Sequence, residues 1–212
     1  VKAYYVSTAF QPEFELEDAR RLADELGADM LVLHVDILSN SAVTANPSDR
    51  CYHCKNTLFR QILRAAENDG FPVLLDGTNA SDDAGDRPGM RALRELSVRS
   101  PLRECGLTKA EIRRLSREAG LFTWDKPAYA CLATRIRTGE EITLQKLKQT
   151  EKAEGFLFGL GFRDFRVRMV DNTAKLELRE ADLPLLLENR EKIVTELRKD
   201  YDSVLLNLEV RK

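Results

Sequence analysis

Apolar positions follow two different periods along the chain. Val1–Thr8 (VKAYYVST), Met30–Val35 (MLVLHV) and Pro72–Leu75 are short apolar runs, the pattern of buried strands. Between the first two, Leu16, Ala19, Leu22, Ala23 and Leu26 recur at helical spacing over Glu15–Leu26, and Gly27 follows as a stop. Leu58, Phe59, Ile62, Leu63 and Ala66 mark a second helix from about Cys54 to Asn68. Strand, helix, strand, helix, strand predicts an α/β fold: a parallel sheet with helices on both faces. Right-handed crossovers bring the carboxyl ends of parallel strands to one edge, where ligands bind in such sheets. Ser7-Thr8, the loop after Val35 and the turn Asp76-Gly77-Thr78-Asn79 are expected to converge there.

Farther on, Arg87-Pro88-Gly89 opens a helix reaching about Leu96, with Pro88 suited to a first helical turn. Thr108-Lys109-Ala110-Glu111 reads as a capping box that starts a helix to Ala119, stopped by Gly120. Trp124–Thr138 is irregular. From Thr143 the grammar changes to a helix of about 17 residues, then strands Phe165–Val170 and Ala174–Leu178 around Asp171-Asn172-Thr173. Helices over Ala181–Asn189 and Glu191–Lys199 and a strand over Ser203–Leu208 complete a small α+β unit. This places a boundary near Thr138–Glu141, dividing the chain into 1–139 and 140–212.

Composition narrows the classes without choosing one. The chain has 212 residues, 43% hydrophobic and 32% charged, which excludes a disordered chain. With 33 Lys and Arg against 35 Asp and Glu, bulk charge argues against nucleic acid as partner. No apolar run approaches the roughly 18 residues of a membrane span, and the first residues lack a signal-peptide pattern, so the expectation is a cytoplasmic protein with no membrane partner.

The candidate chemistry starts with four cysteines. Cys51-Tyr52-His53-Cys54 precedes a helix and is flanked by Arg50 and Lys55, surroundings that favour thiolate character. No second C-x-x-C is present to close a four-cysteine zinc site. Cys131 is expected in a loop at the same sheet edge, and three thiolates suit an iron–sulfur cluster with one iron open. Alternatively, Cys51 and Cys54 pack at a helix start and Cys131 fills a small hole. Cys105 reads as structural. Asp76, Gly77, Thr78 and Asn79, followed by Asp82 and Asp83, suit Mg²⁺ with a nucleotide phosphate, or form a plain turn. Arg166 and Arg168, i and i+2 on one strand, share a face suited to phosphate or carboxylate, or to a solvated edge beside Asp164 and Glu177. His34 is expected in the core. Trp124 suits stacking on a ring, though packing is its commoner use.

These residues carry a resemblance. Asn46-Pro47…Arg50-Cys51-Tyr52-His53-Cys54-Lys55, Asp76-Gly77-Thr78-Asn79-Ala80…Asp82…Arg87-Pro88-Gly89 and Arg99-Ser100-Pro101-Leu102 resemble the LarE family. So do Gly106-Leu107-Thr108-Lys109 and Trp124-Asp125-Lys126-Pro127-Ala128…Cys131-Leu132-Ala133-Thr134-Arg135. These are ATP-dependent sulfur transferases of the PP-loop superfamily, with an adenine nucleotide alpha hydrolase-like fold. The resemblance implies adenylylation of a carboxylate of pyridinium-3,5-biscarboxylic acid mononucleotide, then sulfur insertion, toward the nickel-pincer nucleotide cofactor. One type of member sacrifices its own cysteine sulfur; another holds a [4Fe–4S] cluster on three cysteines, and Cys51, Cys54 and Cys131 match the second. It implies ATP, Mg²⁺ and the cluster as cofactors, a small-molecule nucleotide substrate and a homo-oligomer. By the same resemblance Asp82 stands where the family places an acidic residue, and Arg166 and Arg168 where it places phosphate-binding ones. Arg135 is the candidate for stabilising charge that develops near Cys131.

One departure changes the expectation for this chain. The Ser-Gly-Gly-x-Asp-Ser type loop that follows the superfamily's first strand is absent, and Val1–Thr8 corresponds to the second strand. The chain as given is therefore expected to bind ATP poorly. Two other readings remain: a tRNA thiolation enzyme of the same superfamily, and a non-catalytic nucleotide- or metal-binding module.

Overall fold

A computed structural model describes residues 1–82 and 88–211, so Asp83 and Arg87 of the motifs above lie outside the described residues. The chain forms two compact units. The first comprises Val1–Thr8, Glu13–Val43 and Pro47–Lys126; the second comprises Ala9–Pro12, Thr44–Asn46 and Pro127–Lys212.

In the first unit, β1 (Ala3–Ser7) and β2 (Met30–His34) pair in parallel, from Ala3 opposite Met30 to Ser7 opposite His34, with α1 (Glu13–Leu26) between them in sequence. Gly27 ends α1 with φ of 60°, the left-handed conformation glycine adopts without penalty. After the short α2 (Ser41–Thr44) comes the long α3 (Arg50–Asn68). The expected start of α3 is late by one turn. Arg50 N donates to Pro47 O and Tyr52 N to Asp49 O, so the chain turns before the cysteines and Cys51 and Cys54 lie inside the helix.

Two strand expectations need correction. Pro72–Leu75 is extended but adds no third strand to β1 and β2; it makes a single parallel bridge, Leu75 to Arg99. β1 and β2 are also half-exposed rather than buried, and His34 is exposed. The reason is the width of the sheet. Among the described residues β1 pairs only with β2, and its other edge faces a groove of about 530 Å³ bounded by Phe59, Ile62, Val73 and Leu75. Apolar side chains meant for a sheet interior therefore remain partly wetted.

The rest of this unit is α4 (Pro88–Glu95), α5 (Pro101–Glu104) and α6 (Lys109–Glu118). The capping box at α6 forms as the sequence implies: Glu111 N donates to the Thr108 hydroxyl, and Thr108 N and Oγ1 both donate to the Glu111 carboxylate. Thr108→Ala is expected to cost about 1 kcal/mol in urea unfolding at neutral pH. The Thr108 hydroxyl and amide hold the Glu111 carboxyl below its ordinary value. The carboxylate's share is thus complete above that ordinary value and is lost as pH falls through the lowered one, so the penalty should shrink in acid.

In the second unit, Thr143 caps α7 (Leu144–Gly159), its side chain accepting from Lys146 N. β3 (Arg166–Val170) and β4 (Thr173–Glu177) form an antiparallel hairpin, and β5 (Ser203–Leu206) lies parallel to β4. Asp171 takes φ of 51° at the turn, a conformation Asp tolerates better than most residues. Between β4 and β5 run α8 (Leu183–Glu188) and α9 (Arg190–Leu197). Ala153 and Leu157 of α7 and Val167 and Met169 of β3 share a core with Phe162, Phe165, Leu176 and Ile193. Alternation along β3 then leaves Arg166 and Arg168 together on the other face.

The unit also takes in the Cys131 loop, which the change of grammar near Thr138–Glu141 leaves with the earlier residues. Side-chain bonds from α7 and β3 hold that loop, and sequence periodicity does not register them.

Candidate functional site

In the first unit, the start of α3, the turn after residue 75 and the start of α4 enclose a cavity of about 350 Å³. Ser48, Cys51, Lys55, Thr78 and Asp82 line it, together with Pro88–Met90. Cys51 and Lys55 are i and i+4, so both project from one face of α3. Gly89 permits the close fit of α4. A Cβ there would stand 3.3 Å from Lys55 Cδ and 3.8 Å from Cys51 Cβ. Arg50 Nη2 lies 3.9 Å from Cys51 Sγ, a cation beside the thiol as the flanking sequence implies.

The Asp76–Asp82 turn divides its groups between holding itself and facing the cavity. Asp76 Oδ1 accepts from Ser100 Oγ at 2.6 Å, and Asp76 Oδ2 from Thr78 Oγ1 at 2.5 Å. Both oxygens of Asp76 are thus used internally, and Asp76 positions Thr78. Asn79 Oδ1 accepts from Ser81 N, and Asp82 Oδ2 from Asn79 N at 2.9 Å. Gly77 has open space where a Cβ would stand. Of the turn's side chains, Thr78 and Asp82 reach the cavity. Lys55 joins them without any ion pair or hydrogen bond among the described residues. In the sequence it stands out only as a flank of the C-x-x-C.

Cys131 belongs to the second unit, at the start of the turn Leu132–Arg135. Arginine side chains hold the backbone around it. Arg166 Nη2 donates to Ala128 O at 2.7 Å, Arg135 Nη1 to Ala130 O at 3.0 Å and Arg168 Nη1 to Thr134 O at 2.6 Å. Arg135 is fully buried and gives its Nε and Nη2 to Glu154 at 2.8 and 2.9 Å. Arg135 therefore stands beside Cys131 as expected, with its guanidinium committed to a buried carboxylate and to the loop backbone. Arg166 is almost as enclosed, and burial with neighbouring Arg135 lowers its pKa. Arg168 bonds Glu177 at 2.7 Å and stays part-exposed, which leaves it the more accessible of the strand pair. Trp124 carries the Arg117 guanidinium 4.8 Å from its ring centre, a packing use of the ring.

All four cysteines are unbridged thiols; Cys51 and Cys105 are exposed, Cys54 and Cys131 half-buried. Cys51 and Cys54, i and i+3 in the first two turns of α3, supply two soft donors from one side of a helix. Among the described residues, no group of three Cys, His, Asp or Glu side chains that could hold a metal ion is assembled. No described helix is long and apolar enough to cross a membrane.

The structure is that of an α/β protein with a small α+β unit, with free thiols in each of the two units. No family model matches the chain. It is 41% identical over 173 residues to the uncharacterised protein slr1717 of Synechocystis sp., covering 82% of this chain and 64% of that protein. It is 33% identical over 181 residues to the pyridinium-3,5-bisthiocarboxylic acid mononucleotide synthase of Lactiplantibacillus plantarum, covering 85% and 66%. The uncharacterised protein MJ0830 of Methanocaldococcus jannaschii is 31% identical over 208 residues, with 97% and 79% covered. The chain belongs to the LarE-like family. It spans just under two thirds of the length of the first two of these relatives.

Proposed function

We propose that the whole protein is a sulfur transferase in the synthesis of pyridinium-3,5-bisthiocarboxylic acid mononucleotide, using ATP to activate each carboxylate that receives sulfur. The relative from L. plantarum bears that product in its name. The observation that carries the reading is the cavity in which the Cys51 thiol, the Lys55 ammonium and the Thr78–Asp82 turn meet.

The chemistry needs two displacements. The substrate carboxylate attacks the α-phosphorus of ATP and pyrophosphate leaves, giving an acyl adenylate. A sulfur nucleophile then attacks the acyl carbon and AMP leaves with the bonding pair. Lys55 suits an anionic group of either substrate, and Asp82 with the Thr78 hydroxyl suits the Mg²⁺ that accompanies pyrophosphate. Arg168 suits the phosphate of the mononucleotide. Cys51 and Cys54 suit a soft metal centre as two of its ligands. A [4Fe–4S] group held there would supply the sulfur as a sulfide on its open iron.

The test incubates the purified whole protein with ATP, Mg²⁺ and pyridinium-3,5-biscarboxylic acid mononucleotide. AMP release that depends on the nucleotide, with exchange of oxygen for sulfur in the product mass, is the expected result. Absence of nucleotide-dependent AMP overturns the reading. Lys55→Met should raise KM for the anionic substrate about 10- to 100-fold, the loss of one charge-assisted hydrogen bond of about 1.5–3 kcal/mol.

A further inference from the structure

Glu154 is a carboxylate in the wrong place for an ordinary surface residue. It lies on the core side of α7, 1% exposed, between the core residues Ala153 and Leu157. Four donors converge on its two oxygens. Oε1 accepts from Arg135 Nε and from Val167 N, both at 2.8 Å; Oε2 accepts from Arg135 Nη2 at 2.9 Å and from the Tyr129 hydroxyl. An ionised carboxylate has about four acceptor positions, so this one is fully used.

Each donor leads to the same loop. Tyr129 stands two residues before Cys131, and Arg135 four after it. Arg135 Nη1 also reaches back to Ala130 O and to Thr134 Oγ1 at 2.8 Å, and the Thr134 hydroxyl donates to Cys131 O at 2.8 Å. The Arg135 and Arg166 guanidiniums lie 4.7 and 5.5 Å from the Tyr129 ring centre, so two cations lie against the ring. Val167 is the residue between Arg166 and Arg168, the pair that bonds Ala128 O and Thr134 O. One carboxylate thereby sets the spacing between the arginine-bearing strand and both sides of the cysteine.

We propose that Glu154 is the positioning residue of the Cys131 loop, fixing the thiol through Tyr129, Arg135 and Val167. The proposal rests on the reading of Cys131 as a sulfur-handling residue, and it assigns Glu154 no contact with substrate. Desolvation makes a buried ion pair a poor source of net stability, whereas its many directed bonds define one geometry. In Glu154→Gln the amide nitrogen replaces an oxygen and faces the Arg135 donor it cannot satisfy. Tyr129→Phe removes one donor and leaves the Arg135 pair intact.

The test is iodoacetamide labelling of the folded protein at one pH, read for each cysteine by peptide mass spectrometry. Cys105, exposed and in the other unit, is the internal reference. A several-fold change in the Cys131-to-Cys105 ratio is expected in both variants, with circular dichroism and Cys51 labelling as in the parent. Where activity is measured, kcat should fall with KM for the nucleotide unchanged. A parental ratio in both variants overturns the proposal. If Glu154→Gln does not fold, Tyr129→Phe decides by the same ratio. A shifted ratio in a protein whose parent transfers no sulfur leaves the loop geometry standing and removes the function assigned to Cys131.

Discussion

Replacing Arg135 with alanine is expected to cost about 3–5 kcal/mol, the penalty of leaving a buried charge without its partner. The side chain is fully enclosed, as is Glu154, and two hydrogen bonds join them. Truncation leaves Glu154 ionised in a dry site, or forces it to take up a proton, and it also removes the donor to Ala130 O. Against a typical total of 5–15 kcal/mol this is a large share, enough to leave the second unit partly unfolded at 37 °C. Urea unfolding should show a lower midpoint with an unchanged slope. Changing both members to methionine should recover part of the loss, because the unpaired charge is gone. Recovery stays incomplete, since Val167 N and the Tyr129 hydroxyl lose their acceptor, at about 1–3 kcal/mol for each buried group left unsatisfied. An unchanged midpoint in Arg135→Ala would mean that water or another cation replaces the guanidinium. Arg135 keeps its proton across the working range. Burial alone would lower its pKa, but the Glu154 hydrogen bonds and charge outweigh that and the net shift is upward. The Tyr129 hydroxyl is likewise pushed up, first by burial and then by the Glu154 charge, so it remains the donor.

How these residues came to be legible, or not, follows from the range of the interactions involved. Gly27, Gly120 and the Thr108–Glu111 box are local devices, written within four residues of where they act, and they appear where the pattern placed them. The shared face of Arg166 and Arg168 follows from the two-residue period of a strand. Pro72–Leu75 has the composition of a strand, but strand formation needs a neighbour, and its one bridge goes to Arg99. Cys51 and Asp82 are 31 positions apart, and their meeting at one cavity depends on how α3 and α4 pack. Glu154 left a trace that the period of α7 contains. Leu147, Thr150, Ala153 and Leu157 form the buried stripe, and a carboxylate beside Ala153 interrupts it. A charge on a buried stripe demands a partner, and nothing in the local sequence says that the partner lies in an irregular loop.

Cys51→Ala, Cys54→Ala and Cys131→Ala are each expected to reduce thiocarboxylate formation to background while nucleotide-dependent release of pyrophosphate continues. In the proposed reaction, adenylylation uses the substrate carboxylate as nucleophile and needs no thiol, so removing a thiol should separate the two displacements. The adenylate then breaks down by water, and AMP accumulates without sulfur in the product. Folding does not confound this. Cys51 is exposed and Cys54 half-buried, and trimming such side chains usually changes stability by no more than about 0.5 kcal/mol. Cys105→Ala is the control, an exposed thiol outside the cavity, and should keep full transfer. Loss of activity in the Cys131 variant alone would point to that sulfur as the one transferred. The spent protein should then lack the elements of hydrogen sulfide at Cys131, with product no greater than enzyme. Loss in all three variants, with an unchanged protein mass after turnover, would instead support sulfur delivered from a bound centre and not from the Cys131 side chain. Full sulfur transfer in every variant would remove the cysteines from the reaction.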